Sequence, residues 1–382
     1  MKIAIMGRTL DDGKGIGIGN RHYIDNIIKL DRENEYVVFY KTSKTFGRYQ
    51  DYSNVKEILL EAPNKLIWDQ VLVPNAAYKE GVQLIFSPKF TVPLLSKIPT
   101  VVICHGLEYY TFPQFYERYL LMYVKIFLPL YYRKAVKVVA ISNDLKDDIH
   151  KYVKVPYEKM ETVYFGTTEL FYPRKDKQEL EAIRKKHQLP EDYIICLPHP
   201  YEANKLYPRK NLDNIVKAFM LLKEKYPSLK LLLAGNRCDE YIAEVFGQDM
   251  ANDPRFFYTG WVYQEDMPYL YSLAKMLVFP SYSESFGLPI VEAMGCGCPV
   301  ITSTKTCCPE IAGDAALLVD PIDFKGLANA MDSILNNPEL SQKLSEKGLK
   351  QAKKFSWQES AEKLIKIFQE EGYKDIQAAE IP

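Results

Sequence analysis

Glu284 and Glu292 stand eight positions apart in the run Ser281-Tyr-Ser-Glu-Ser-Phe-Gly-Leu-Pro-Ile-Val-Glu-Ala-Met-Gly-Cys-Gly-Cys-Pro-Val-Ile-Thr302. The apolar stretch Met276-Leu-Val-Phe279 before it reads as a buried strand. Pro289 suits the first turn of a helix, where its missing N–H is not needed. Gly295 and Gly297 end that helix, and Pro299-Val-Ile301 opens another strand. The expected order is strand, loop, short helix, strand, with Glu284 in the loop and Glu292 in the first helical turn. Loops at the C-terminal ends of parallel strands, beside helix N-termini, are where α/β proteins hold anionic ligands. A single Glu at a helix start is ordinarily explained by the dipole, worth a few tenths to about 1 kcal/mol. Two acids inside one ordered run favour a binding role instead.

Three other segments place polar residues at strand or helix ends. Pro208-Arg-Lys-Asn-Leu212 precedes an amphipathic helix whose Ile215, Val216, Phe219 and Leu222 face inward. The helix dipole disfavours cations there, so Lys210 is more informative than a Lys elsewhere. Cys104-His-Gly-Leu-Glu-Tyr-Tyr-Thr-Phe-Pro113 puts His105 at the end of a strand expected over 100–104, with Tyr109, Tyr110 and Phe112 nearby. Asp11-Asp-Gly-Lys-Gly-Ile-Gly-Ile-Gly-Asn20 reads as a glycine loop between a first strand over 1–6 and a helix over 21–30. Tyr23, Ile24, Ile27 and Ile28 form the buried face of that helix.

The elements that must carry these residues repeat one pattern. Strands are expected over 35–40, 84–87, 100–104 and 136–141, the last leading to a helix capped by Ser142 or Asn143. A second set is expected over 193–197, 229–234, 256–259, 276–280, 299–302 and 316–319. Helices alternate with strands in both sets, which implies two doubly wound parallel sheets. A chain of 382 residues also exceeds what one core usually serves. The expected division is 1–172 and 173–357, marked by the charged, proline-bearing stretch Phe171-Tyr-Pro-Arg-Lys-Asp-Lys177. An amphipathic helix follows from about residue 358.

The Glu-x7-Glu run resembles the signature of retaining glycosyltransferase family 4, together with Phe-Pro-Ser before it and Glu-Ala-Met-Gly-Cys-Gly-Cys-Pro-Val after it. Looser matches run through most of the chain: Ser142-Asn, the 166–173 connector, Arg209-Lys-Asn, Ala234-Gly235 and Phe355-Ser-Trp357. The resemblance implies the GT-B fold, two Rossmann-like domains facing across a cleft, the final helix crossing back to the first. It implies that Glu284 contacts the donor sugar and Glu292 the ribose. Lys210, with Arg209, would hold the diphosphate, and the backbone of Ser285, Phe286, Gly287 and Leu288 would complete the donor site. The backbone near Val262, in Thr259-Gly-Trp-Val-Tyr263, would read the base. Gly19, or secondly Gly17, would approach the phosphates, and His105 would lie near the transferred sugar. Two departures stand out. The family's Gly-Arg after the first donor-domain strand is replaced by Leu197-Pro-His-Pro-Tyr, leaving Arg209, Lys205 or His199 to compensate. Gly106 also stands where the family carries Asp after the His.

The function implied is retaining transfer of a sugar from a UDP-, GDP- or dTDP-sugar to a saccharide or lipid-linked acceptor, in cell-surface polysaccharide or glycolipid assembly. No Asp-x-Asp pair is present, so neither a metal nor a cofactor is expected. The cysteines at 296, 298, 307 and 308 fit no common zinc spacing. Net charge is zero, which offers nothing to nucleic acid. The absence of Cys-x-x-Cys pairs and of an apparent signal peptide favours the cytoplasm. The aromatic, basic segment 116–137 is suited to peripheral contact at the inner membrane face, or to a proline-kinked core helix. Alternatives within the same fold are a sugar-nucleotide epimerase or a phosphorylase. Outside enzymes, the alternative is a non-catalytic nucleotide-sugar-binding module.

Overall fold

The structure, a computed structural model, describes residues 1–12, 15–202 and 205–379. Residues 13 and 14 of the glycine run, and the side chain of Lys205, lie outside the described residues. Two units form: Met1–Gly166 with the chain from Ser356 onward, and Thr167–Phe355.

Unit 1 is built on β1 (Lys2–Met6), β2 (Glu35–Tyr40), β3 (Val55–Leu59), β4 (Leu84–Ser87), β5 (Thr100–Cys104), β6 (Lys137–Ala140) and β7 (Met160–Thr162). The order across the sheet is β3-β2-β1-β4-β5-β6-β7, every pairing parallel. β4, β5 and β6 are buried along their whole length and read as apolar runs, as doubly covered parallel strands should. β3 and β7 were not expected. β3 is an edge strand carrying Lys56 and Glu57, and β7 has only three residues, so neither gives an apolar run.

From Gly15 onward the glycine run is not a loop. A helix covers Gly15–Leu30, so Gly17 and Gly19 are helical residues. Glycine inside a helix costs about 0.5–1 kcal/mol, which is why the run reads as irregular from sequence. Packing overrides that preference. A Cβ on Gly19 would stand 2.7 Å from the Phe165 ring, and one on Gly17 would stand 2.1 Å from the Asp12 carbonyl oxygen. The same helix is fastened by Tyr23, whose hydroxyl donates to the carbonyls of Val163 (2.7 Å) and Tyr164 (2.9 Å).

The final helix, Trp357–Ala379, packs on unit 1. His22 stacks on Trp357 at 5.0 Å, Tyr23 meets it edge-on at 5.1 Å, and Phe368 lies 5.0 Å from Phe86. Gly166 has no room for a side chain, since a Cβ would lie 2.2 Å from the Trp357 nitrogen. Just beyond it, the Thr167 N–H donates to the Phe355 carbonyl at 2.9 Å, so the two passages of the chain between units run side by side. The division thus falls at 166/167 and 355/356, earlier than the expected 172/173 and 357/358. The stretch 171–177 is charged but packed: Phe171 is buried, and Arg174 lies over Tyr172 at 3.9 Å and Tyr269 at 4.6 Å.

Unit 2 comprises β8 (Tyr193–Cys196), a hairpin of β9 (Tyr201–Glu202) and β10 (Lys205–Leu206), then β11 (Lys230–Ala234), β12 (Phe256–Gly260), β13 (Leu277–Phe279), β14 (Val300–Ser303) and β15 (Ala316–Val319). The main sheet runs β12-β11-β8-β13-β14-β15, all parallel. From β8 the chain goes outward to β11 and β12, then crosses over to β13. The strand order therefore reverses between β8 and β13, and such a switch point opens a crevice at the C-terminal strand ends. The core beneath it joins Ile194, Leu231, Leu233 and Val278 to Ile215, Val216 and Phe219 of the helix Leu212–Met220. That is the inward face the sequence predicts.

Candidate active site

The switch point of unit 2 is where the charged residues meet. Glu284 lies in the loop after β13 and Lys210 in the short 3-10 turn Pro208–Lys210 downstream of β8. The Lys210 ammonium donates to Glu284 Oε1 at 2.6 Å, and Arg209 Nη1 stands 3.8 Å from Oε2. Lys210 also sits 4.5 Å from the centre of the Phe279 ring, over its face. Burial raises the Glu284 pKa, but the charges of Lys210 and Arg209 outweigh it, and the carboxyl is held below its ordinary value. Burial is also the largest influence on Lys210, and there it prevails over the attraction of Glu284 and lowers the ammonium's pKa. The result is a desolvated carboxylate and two cations at the mouth of a parallel sheet, a combination concentrated at functional sites.

Three residues that sequence reasoning missed hold this cluster. Asn211 adopts the left-handed conformation (φ 60°), which Asn tolerates better than most residues. Its amide donates to the carbonyls of Pro280 (2.9 Å) and Pro321 (2.6 Å), tying the Lys210 turn to the Glu284 loop. The Arg-Lys-Asn motif contained that signal. Thr306 is also left-handed (φ 52°), a rare state for a β-branched residue. Its hydroxyl accepts the Glu284 N–H at 3.1 Å and donates to the Lys305 carbonyl at 2.8 Å. The Cys307 thiol donates to the Glu284 carbonyl at 3.3 Å, so the 306–307 segment grips both backbone polar groups of Glu284. Nothing in the sequence distinguishes this Thr from any other.

Glu292 differs from expectation in place and in chemistry. The helix Leu288–Gly295 begins after Gly287 (φ 86°), so Glu292 falls in its second turn, not its first. Its partner is the Tyr271 hydroxyl, which donates to Oε2 at 3.3 Å. Burial pushes the Glu292 carboxyl up to about 7, and the Tyr271 bond offsets only part of that. Of the intervening turn, Ser285 and Leu288 flank Phe286 and Gly287. The Phe286 side chain is buried edge-on against Phe355 (5.6 Å), leaving its backbone as the candidate contact. Val262 is buried in the loop after β12, between exposed Trp261 and Tyr263. His199 is exposed in the loop after β8. Gly235 lets that loop approach, since a Cβ there would stand 2.4 Å from the Pro198 carbonyl oxygen.

In unit 1, His105 follows β5. Its Nε2 lies 2.7 Å from the Pro88 carbonyl oxygen, which can only accept, so Nε2 carries the proton. The lone pair is then on Nδ1, a buried atom with no partner among the described residues. Burial pushes the His105 pKa down to about 4, leaving a neutral ring with an unused acceptor. The aromatics after it pack on one another, Tyr109 with Tyr116 at 4.5 Å and Tyr110 with Tyr152 at 5.8 Å. All seven cysteines are buried and free, and no group of three or more metal-ligating side chains occurs among the described residues.

Comparison with known proteins bears on this geometry. Residues 180–351 match the glycosyl transferases group 1 family, and residues 32–168 match Glycosyltransferase Family 4. The O-antigen chain mannosyltransferase B of Escherichia coli is 26% identical over 358 residues, covering 91% of this chain and 88% of its own length. Among solved structures, a sucrose-phosphate synthase from Thermosynechococcus elongatus superposes with a TM-score of 0.75 at 20% identity, covering 99% of this chain and 100% of its own. Anabaena HepE in complex with UDP-glucose gives a TM-score of 0.74 at 17% identity, covering 97% of this chain and 100% of its own. The structural likenesses establish the two-domain GT-B fold.

Proposed function

The chain belongs to glycosyltransferase family 4, and we propose that it moves a hexosyl unit from a nucleotide-diphosphate sugar to a saccharide or lipid-linked acceptor, with retention and without a metal. The observation that carries this is the Lys210–Glu284–Arg209 cluster at the switch point of unit 2. Transfer breaks the bond between the anomeric carbon and the diphosphate oxygen, and negative charge builds on that oxygen. Lys210 and Arg209 are the fixed positives available to stabilise it, in a buried setting where they act more strongly than in water. The acceptor hydroxyl attacks the same face of the anomeric carbon, and its proton passes to the departing diphosphate. Glu284 accepts from donor-sugar hydroxyls and Glu292 from the ribose, while in unit 1 the lone pair on His105 Nδ1 suits a hydroxyl of the acceptor sugar. The likeness to an O-antigen mannosyltransferase favours mannose as the sugar and surface polysaccharide as the product.

The acceptor's setting is proposed from the helix Arg118–Lys134. No described helix is long and apolar enough to cross a membrane. This one instead exposes Tyr119, Met122, Ile126 and Leu130, with Arg118, Lys125, Arg133 and Lys134 around them and no acid along its length. An apolar stripe bordered by cations suits an anionic bilayer surface, which favours a place at the inner face of the membrane.

The test is nucleotide diphosphate release in Glu284→Gln, Lys210→Gln and His105→Ala, each verified as folded. Loss of transfer in all three supports the reading, and three fully active variants overturn it. Binding of a nucleotide sugar with no release in wild type, whatever acceptor is supplied, favours the non-catalytic module.

A further inference from the structure

Beside His105, unit 1 carries charged residues that the transfer chemistry above does not use. Its strand order reverses between β1 and β4, so this sheet too has a switch point at its C-terminal edge. Arg8 follows β1, Lys89 follows β4, and His105 follows the adjacent β5. Asp69, buried on the π-helical turn Trp68–Leu72, accepts from Arg8 Nη2 at 3.1 Å. That pairing leaves Arg8 Nε over, a buried donor with no partner among the described residues. Lys89 is half-buried and makes no hydrogen bond or ion pair through its ammonium among the described residues. Burial lowers its pKa, the charges of Arg8 and Lys65 add to that, and Asp12 and Asp69 oppose it. A half-buried ammonium beside two other cations, without a carboxylate in contact, is costly to a fold that gains nothing from it. Sites that break a local rule in this way are expected to serve a ligand.

We propose that Arg8 and Lys89, at the β1/β4 switch point, bind a phosphate group carried by the acceptor. The inference rests on the transfer reaction above, in which Lys210 and Arg209 of unit 2 take the donor diphosphate. The cations of unit 1 are then left for a different anion. An ammonium and a guanidinium N–H following the adjacent strands β1 and β4 suit phosphate oxygens, which accept charge-assisted hydrogen bonds. The neighbouring neutral His105 would face the sugar end of the same acceptor.

Lys89→Gln is the informative variant, because removing a cation repelled by its neighbours leaves no carboxylate unpaired and should not lower the melting temperature. The full-length protein is titrated with inorganic phosphate in the presence of saturating UDP or GDP, whichever stabilises it, and melting is followed. The expected result is a phosphate-dependent increment in wild type that weakens about tenfold in affinity in Lys89→Gln, the nucleotide's own shift being retained. Three results overturn the proposal: no increment in wild type, an increment unchanged in the variant, or loss of the nucleotide shift. The last would mean that Lys89 serves the donor. If no nucleotide shifts the protein, the donor reading of Lys210 fails, and the phosphate titration alone still decides on Lys89. A soluble sugar phosphate and a short prenyl phosphate, used in place of inorganic phosphate, show whether the group arrives on a sugar or on a lipid. Dependence on Lys89 for neither overturns the proposal.

Discussion

Replacing Glu292 with Gln should make the protein more stable and a poorer nucleotide binder, and the stability gain should depend on pH. The carboxyl's pKa rises from 4.5 to about 7 on folding, chiefly through burial. Below about pH 4.5 it is protonated in both folded and unfolded chains, and Gln, close in shape to the protonated acid, gains nothing. Between pH 4.5 and 7 the unfolded chain ionises first, so the wild type loses stability relative to the variant as pH rises. Above pH 7 the loss is complete. At about 1.4 kcal/mol per pH unit the full difference is about 3.5 kcal/mol. Water reaches part of the side chain, so about 1–2 kcal/mol is the working figure, or roughly 2–8 °C in the melting of a unit this size. The Tyr271 hydroxyl can still donate to the Gln carbonyl oxygen, so no orphan is created. The assay is thermal melting of both proteins from pH 5 to 8, with nucleotide affinity measured at pH 8. Parallel melting curves across that range would refute the argument, because they would mean the carboxyl titrates alike in folded and unfolded chains. Equal loss of affinity for a 2′,3′-dideoxynucleotide would refute the ribose contact separately.

Lys210→Met alone leaves the buried carboxylate to Arg209 at 3.8 Å and should cost about 3 kcal/mol, whereas Lys210→Met with Glu284→Gln should cost clearly less; a urea-denaturation double-mutant cycle measures the coupling. Thr306→Val removes the acceptor for the Glu284 N–H and should cost about 1–3 kcal/mol with a fall in kcat, while Thr306→Ser restores both; steady-state kinetics beside melting curves checks this. Gly19→Ala should destabilise unit 1 by about 1–3 kcal/mol, and Phe165→Leu should recover part of it; no recovery would return the glycine to a phosphate role.

What could be read beforehand followed from where the physics is local. β4, β5 and β6 are apolar runs because both their faces are covered, and the helix carrying Glu292 has Pro289 in its first turn and the left-handed Gly297 (φ 73°) just past its end. The Lys210–Glu284 pairing joins residues 74 positions apart, yet each is marked in the sequence by its motif and its place at an element end. The misses share the opposite cause. Gly17 and Gly19 look like a loop because helix propensity is local, while the Phe165 ring that requires Gly19 comes far along the chain. Thr306 acts through a hydroxyl and a strained backbone that only its partner Glu284 explains. The segment 171–177 carries the marks of a linker, yet Arg174 is sandwiched by two tyrosines, one of them distant in sequence.

The return of the last helix to unit 1 sets an order of events during synthesis. The ribosome completes all of unit 2 before it delivers Trp357, Leu364 and Phe368, so β1 to β7 must wait with part of their apolar surface uncovered while the intervening sheet matures. A chain cut short after Phe355 would retain every residue proposed to hold the donor and still leave unit 1 without the covering on which Tyr23 and Phe86 rest. Chaperone dependence should therefore concentrate in the half of the molecule that emerges first.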